Sequence, residues 1–143
     1  MKKASLIISA VIGFTFQSTA LALEAKAQPK ASTVLQTQTS WNGRPIEYPA
    51  GKAEITGLVI ELAPGAQTGW HTHAIPNFAY ILEEELEIEL KDGRRKRVKA
   101  GEAVAEVVDT LHNGHSVGTV PLKLVVFYAG TVGEPLSAQE RQQ

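Results

Sequence analysis

Residues 85–90 read Glu-Leu-Glu-Ile-Glu-Leu. Strict alternation over six residues suits only a strand, where side chains at i and i+2 share a face. Leu86, Ile88 and Leu90 then line one face, and Glu85, Glu87 and Glu89 the other. Short runs of the same apolar, β-branched kind occur at residues 33–38, 53–62, 78–90, 95–100, 103–108 and 122–130. Between them stand turn signals: Asn42-Gly43-Arg44-Pro45, Ala63-Pro64-Gly65-Ala66, Lys91-Asp92-Gly93, Gly101, Asn113-Gly114 and Gly118. Short strands at regular spacing predict an all-β sandwich or barrel. After the first 22 residues no stretch carries a helical stripe, and Ser137–Gln143 is expected to form at most one frayed turn.

The chain is 143 residues long and 43% hydrophobic, enough for one sizeable core and one domain. A formal charge of −1, with no basic stripe and no interleaved aromatics, argues against nucleic acid as a partner. Residues 1–22 begin with Lys2 and Lys3, run apolar from Ala4 to Phe16 and end Ala20-Leu21-Ala22, the parts of a cleavable secretory signal peptide. The apolar run is shorter than the roughly 20 residues of a spanning helix, so a membrane anchor is not expected. There is no cysteine, hence neither a disulfide framework nor a lipoprotein acylation site. The expected product is periplasmic or secreted. A polar lead-in at 23–32, a barrel at 33–133 and a polar tail at 134–143 complete the expected organisation; formation of a homodimer stays open.

The chain has four histidines, at positions 71, 73, 112 and 115. On a strand, His71 and His73 share a face some 6.5–7 Å apart, and both imidazoles can lean onto one ion at about 2.0–2.1 Å. Alone, the His-x-His pair is a weak signal, since surface strands also carry alternating polar residues. A metal needs a third ligand from a non-adjacent strand, and His112 is placed to supply one. Strict alternation turns His115 away from His112; a bulge at Asn113-Gly114 would turn it inward.

The region from Thr56 to Tyr128 resembles the cupin family of small β-barrels, or jelly rolls. Gly65, followed after five residues by His71-Thr72-His73, matches the opening of the first family motif, and Gly101-Glu102 with His112 matches the second. The resemblance implies metal ligation by His71, His73 and His112 in the barrel mouth. The chain departs from the pattern in four places. Asn77 stands where the family most often has a ligating glutamate, Glu84 where it has a hairpin glycine and Ser116 where it has asparagine, and the proline and glycine before the second histidine are missing from Val107-Val108-Asp109-Thr110-Leu111-His112. Asn77 can offer its amide oxygen as a ligand or donate to a bound ligand, and being neutral it would leave a metal its full charge. A left-handed Glu84 would cost about 1 kcal/mol or more, so a different turn is expected there.

Parity from Asn77 turns Ala79 and Ile81 inward, with Gln67 and Trp70 beside the mouth; Glu106 can reach the interior, although the turn after it blurs the parity. The pocket expected from this reading comprises Gln67, Ala79, Ile81 and His115. No catalytic base is identified. The resemblance, with three neutral nitrogen ligands and open positions, implies a metal-dependent, dioxygenase-like oxidoreductase acting on a small oxygen-rich or anionic molecule. The alternative is a non-catalytic module that binds a small anion, a sugar acid or the metal itself. Iron, manganese, nickel, zinc and copper are not distinguished.

Overall fold

A computed structural model describes residues 29–140 of the chain. The signal-peptide expectation falls outside these residues. The described chain forms nine strands: β1 (Ala53–Leu62), β2 (His71–Thr72), β3 (Asn77–Glu83), β4 (Glu85–Leu90), β5 (Arg95–Lys99), β6 (Ala103–Ala105), β7 (His112–Ser116), β8 (Leu122–Thr131) and β9 (Ala138–Gln139). No helix occurs among the described residues. The strands build two antiparallel sheets, ordered β1-β8-β3-β6 and β5-β4-β7-β2-β9. The sheets pack face to face as a jelly roll and, among the described residues, are not hydrogen-bonded into a closed barrel.

Alternation decides what is buried. Leu86, Ile88 and Leu90 of β4 are buried, as are Ala79 and Ile81 of β3 and Leu122, Leu124 and Val126 of β8, so the two inner faces share one core. On the outer face of β4, Glu87 accepts from Arg97 Nε at 2.7 Å and from Arg95 Nη1 at 2.9 Å, which lets a carboxylate sit buried in a sheet surface.

The chain departs from the expected elements in four places, each with a local reason. Residues 33–38 form no strand: they lie exposed along the surface, with only an isolated bridge between Thr39 and Pro45 just beyond them. Asn113-Gly114 is no turn but the middle of β7, which pairs with β4 through five successive rungs from Leu90–His112 to Leu86–Ser116. Glycine fits closely there: a Cβ at position 114 would lie 3.2 Å from Thr68 and 3.3 Å from Leu86, so both side chains would have to give by a few tenths of an ångström. The segment after residue 133 returns to the sheet, where Thr72 pairs with Ala138 and His71 with Gln139. Glu84 keeps the left-handed conformation, with φ 66°, at the corner where the chain passes from one sheet to the other. The different turn expected there does not form; Asp109, with φ 49°, is likewise left-handed where glycine is absent.

Candidate metal centre

β2 and β7 are neighbours, and their ladder sets His71 directly opposite His112. His73 follows two residues after His71 and faces the same way. Its carbonyl accepts from Asp109 N–H at 2.8 Å, tying the segment to the loop before β7. One nitrogen from each of the three rings lies within 4.8 Å of the others. The ring centroids are 4.2 to 5.0 Å apart, and all three side chains are buried, His112 completely.

The hydrogen bonds select the tautomer. Nδ1 of His71 lies 2.8 Å from the Gly69 carbonyl, Nδ1 of His73 2.7 Å from the Leu136 carbonyl, and Nδ1 of His112 2.9 Å from the Thr110 carbonyl. A carbonyl only accepts, so each Nδ1 carries the proton and each neutral ring keeps its lone pair on Nε2. Backbone carbonyls behind the rings are the support that metal-binding histidines use to fix ring orientation. Gly69 is left-handed, with φ 79°, and Leu136 belongs to the segment expected as a polar tail.

Burial lowers the pKa of His71 and of His112, and the neighbouring imidazoles push the same way, so both are neutral and open to a cation near neutral pH. His112 Nε2 is buried without a hydrogen-bond partner among the described residues. A buried, inward-directed lone pair with no proton donor suits an electropositive ion, and the donor set of three imidazoles suits a divalent transition metal.

A fourth group joins the three rings. Glu106 Oε2 lies 3.4 Å from His73 Nε2, and Oε1 lies 3.5 Å from His112 Nε2. Burial lowers His73, but contact with the Glu106 carboxylate and its charge outweigh that, so its pKa is raised. Conversely, burial would raise the Glu106 carboxyl, and the three histidines outweigh that and hold it low. Tyr128, whose ring centroid is 5.4 Å from that of His73, is pushed up to about 12 by burial and the same carboxylate, and stays a phenol. His71, His73, Glu106 and Tyr128, but not the fully buried His112, border a cavity of about 50 Å³ whose walls include Thr68, Leu86, Leu124 and Val126.

His71, His73 and His112 therefore come together. Asn77 points inward at 1% exposure, with neither amide atom partnered among the described residues, but it does not line the cavity. Ala79 and Ile81 obey the inward parity and are buried in the core, but they do not line the cavity. Gln67 is exposed and accepts from Asn113 Nδ2 at 2.8 Å. With no bulge at Asn113-Gly114, β7 keeps strict alternation, and His115 faces outward, its Nε2 3.1 Å from Glu89 Oε2. Trp70 lies under the Lys91 ammonium, 4.1 Å from the ring centroid.

Together these features define a jelly-roll protein with a buried histidine centre between its sheets. The sequence adds the family: the model of the cupin domain matches residues 58–128, and the chain belongs to the cupins. No curated protein matches it. Among solved structures, a double-stranded β-helix protein from Klebsiella pneumoniae, uncharacterised, is similar at a TM-score of 0.53 and 17% identity, covering 68% of this chain and 91% of that one. The oxalate decarboxylase of Lactobacillus farciminis is similar at a TM-score of 0.53 and 16% identity, covering 59% and 26%. A structure of the DMSP lyases RdDddP and RnDddQII is similar at a TM-score of 0.50 and 16% identity, covering 61% and 44%. The chain thus spans less than half the length of either enzyme, and these likenesses carry the fold.

Proposed function

We propose that this chain holds one divalent transition metal at Nε2 of His71, His73 and His112. On this reading it acts as a metal-dependent oxidoreductase of the dioxygenase type on a small oxygen-rich anion. The observation that carries the reading is the shared tautomer: three Nδ1–H groups spent on backbone carbonyls leave three Nε2 lone pairs converging in one buried space. When bound, such an ion polarises the oxygen atoms of a chelating ligand and, if redox-active, exchanges electrons with it.

The chain's own residues shape the rest. Leu86, Leu124 and Val126 keep bulk water from the rings, and Thr68 and the protonated Tyr128 put hydroxyls on the cavity wall. A volume of about 50 Å³ has room for only a few water-sized groups, one water needing at least roughly 10–15 Å³, which favours a small ligand such as a two-carbon acid. One structural neighbour is an oxalate decarboxylase, a small-diacid enzyme by its name; here the size of the cavity, rather than the likeness, supports that class.

The test is metal analysis of the purified protein, followed by oxygen uptake with small chelating acids. His73→Ala and His112→Ala should each lose stoichiometric metal and stay folded by circular dichroism; full metal in both variants overturns the ligand assignment. Metal retention without turnover leaves a non-catalytic binding module for a small anion or the metal. We also propose export, on the strength of Lys2-Lys3, the apolar run and Ala20-Leu21-Ala22. Mass spectrometry should find a mature N-terminus at Leu23, or at Gln28 if cleavage follows Ala27; an intact Met1 in a membrane fraction defeats this.

A further inference from the structure

We infer that Glu106 is a fourth ligand of the same centre, delivered from the strand opposite Asn77; this rests on the metal-binding reading above. The β3–β6 ladder pairs Tyr80 with Ala103, Ala79 with Val104 and Phe78 with Ala105. The next rung is Asn77 with Glu106, and Glu106 N–H donates to the Asn77 carbonyl at 3.1 Å. Residues on one rung of an antiparallel ladder project to the same face, with Cβ atoms about 4.5–5.5 Å apart. The inward polar positions here are therefore a neutral amide on β3 and a carboxylate directly across from it.

The distances fit an ion better than a hydrogen bond. Hydrogen bonds from nitrogen to oxygen run about 2.7–3.2 Å, whereas Glu106 stands 3.4 Å from one Nε2 and 3.5 Å from another. Two donors each about 2.1 Å from a tetrahedral ion stand about 3.4 Å apart. Electrostatics points the same way. A divalent charge held by neutral imidazoles against Leu86, Leu124 and Val126 is poorly solvated, and one carboxylate halves it.

Cobalt(II) separates ligation from action at a distance, because its visible absorption depends on the atoms bound to it. Metal-free wild type, Glu106→Gln and the Asn77→Glu/Glu106→Gln double variant are titrated with cobalt(II) and zinc(II), with circular dichroism as the check on folding. Glu106→Gln should bind on the order of 100-fold more weakly and show a changed cobalt spectrum. The double variant, which moves the acid across the rung, should recover at least tenfold of that loss. An unchanged affinity in Glu106→Gln overturns the inference, and so does a weaker affinity with an unaltered cobalt spectrum. Either result leaves three-histidine binding standing. A wild type that takes up no cobalt or zinc overturns the metal reading and this inference together.

Discussion

Asn77→Leu should make the metal-free protein more stable. Asn77 is 1% exposed, and neither Oδ1 nor Nδ2 has a hydrogen-bond partner among the described residues. A buried polar group without a partner costs about 1–3 kcal/mol. Leucine keeps the branched skeleton of asparagine but is bulkier, and fitting it into a packed interior costs about 1 kcal/mol or more. The net gain is then up to about 2 kcal/mol, which for a domain of this size raises Tm by up to roughly 8 °C. The assay is urea and thermal unfolding of both proteins in excess chelator, with Asn77→Ala as the control that removes the amide but leaves a hole. A lower midpoint for Asn77→Leu than for wild type refutes the reasoning, because it means the buried amide is hydrogen-bonded in solution. Repeating the melts with saturating metal asks a second question. If three histidines suffice, the metal-induced rise in Tm should survive in Asn77→Leu; its loss would make Asn77 part of the site.

Asn77→Glu sets two carboxylates on one rung with Glu106, where unit charges some 4 Å apart repel by roughly 4 kcal/mol at an effective dielectric of 20. The metal-free variant should therefore melt lower and the metal-loaded one recover, while anionic ligands bind more weakly; tighter anion binding by calorimetry would contradict this. Glu84→Gly releases a left-handed strain of about 1–2 kcal/mol against about 0.5–1 kcal/mol of added chain entropy, so it should gain about 0.5–1 kcal/mol in urea unfolding. Glu87 is held below the usual carboxylate range by its hydrogen bond to Arg97, helped by Arg95. A depressed folded pKa gives stability that is present above the unfolded pKa of about 4.3 and is lost as pH falls through the folded value. Glu87→Gln should accordingly lose stability at neutral pH and show a flatter decline in acid.

The alternation of residues 85–90 was enough to place β4, and Ala53–Leu62 is a strand over its whole expected length. Apolar-polar alternation at 85–90 and β-branched composition at 53–62 are local signals, so a window of sequence carries them. The failures were places where partners far away in sequence decide. Residues 33–38 have the composition of a strand but no sheet neighbour. Asn113-Gly114 looks like a turn, and pairing with β4 makes it a strand, with glycine kept for the close approach of Thr68. The tail is polar and short of apolar residues, yet it pairs with β2 and brings the Leu136 carbonyl to His73. That role uses a backbone atom, which no side-chain pattern records.

The same distinction explains the centre. The three histidines were legible because a ligand of fixed type at i, i+2 on a strand leaves a spacing in the sequence, and His112 follows from the matching second motif. Glu106 was harder to assign, although Val104 and Glu106 share the inward parity of β6. The left-handed Asp109 three residues on is what makes the parity look unsafe, but the ladder to Asn77 holds one rung past the end of the strand and fixes it. Judged from position 77 alone, the centre lacks an acid and should prefer anions strongly. Judged from the rung, it keeps one, since Glu106 faces His73 and His112 from the other strand. A carboxylate across a ladder is some 5 Å away in space and 29 residues away in sequence. Ligand inventories read from one strand at a time therefore miscount the charge of a site whose walls are paired strands.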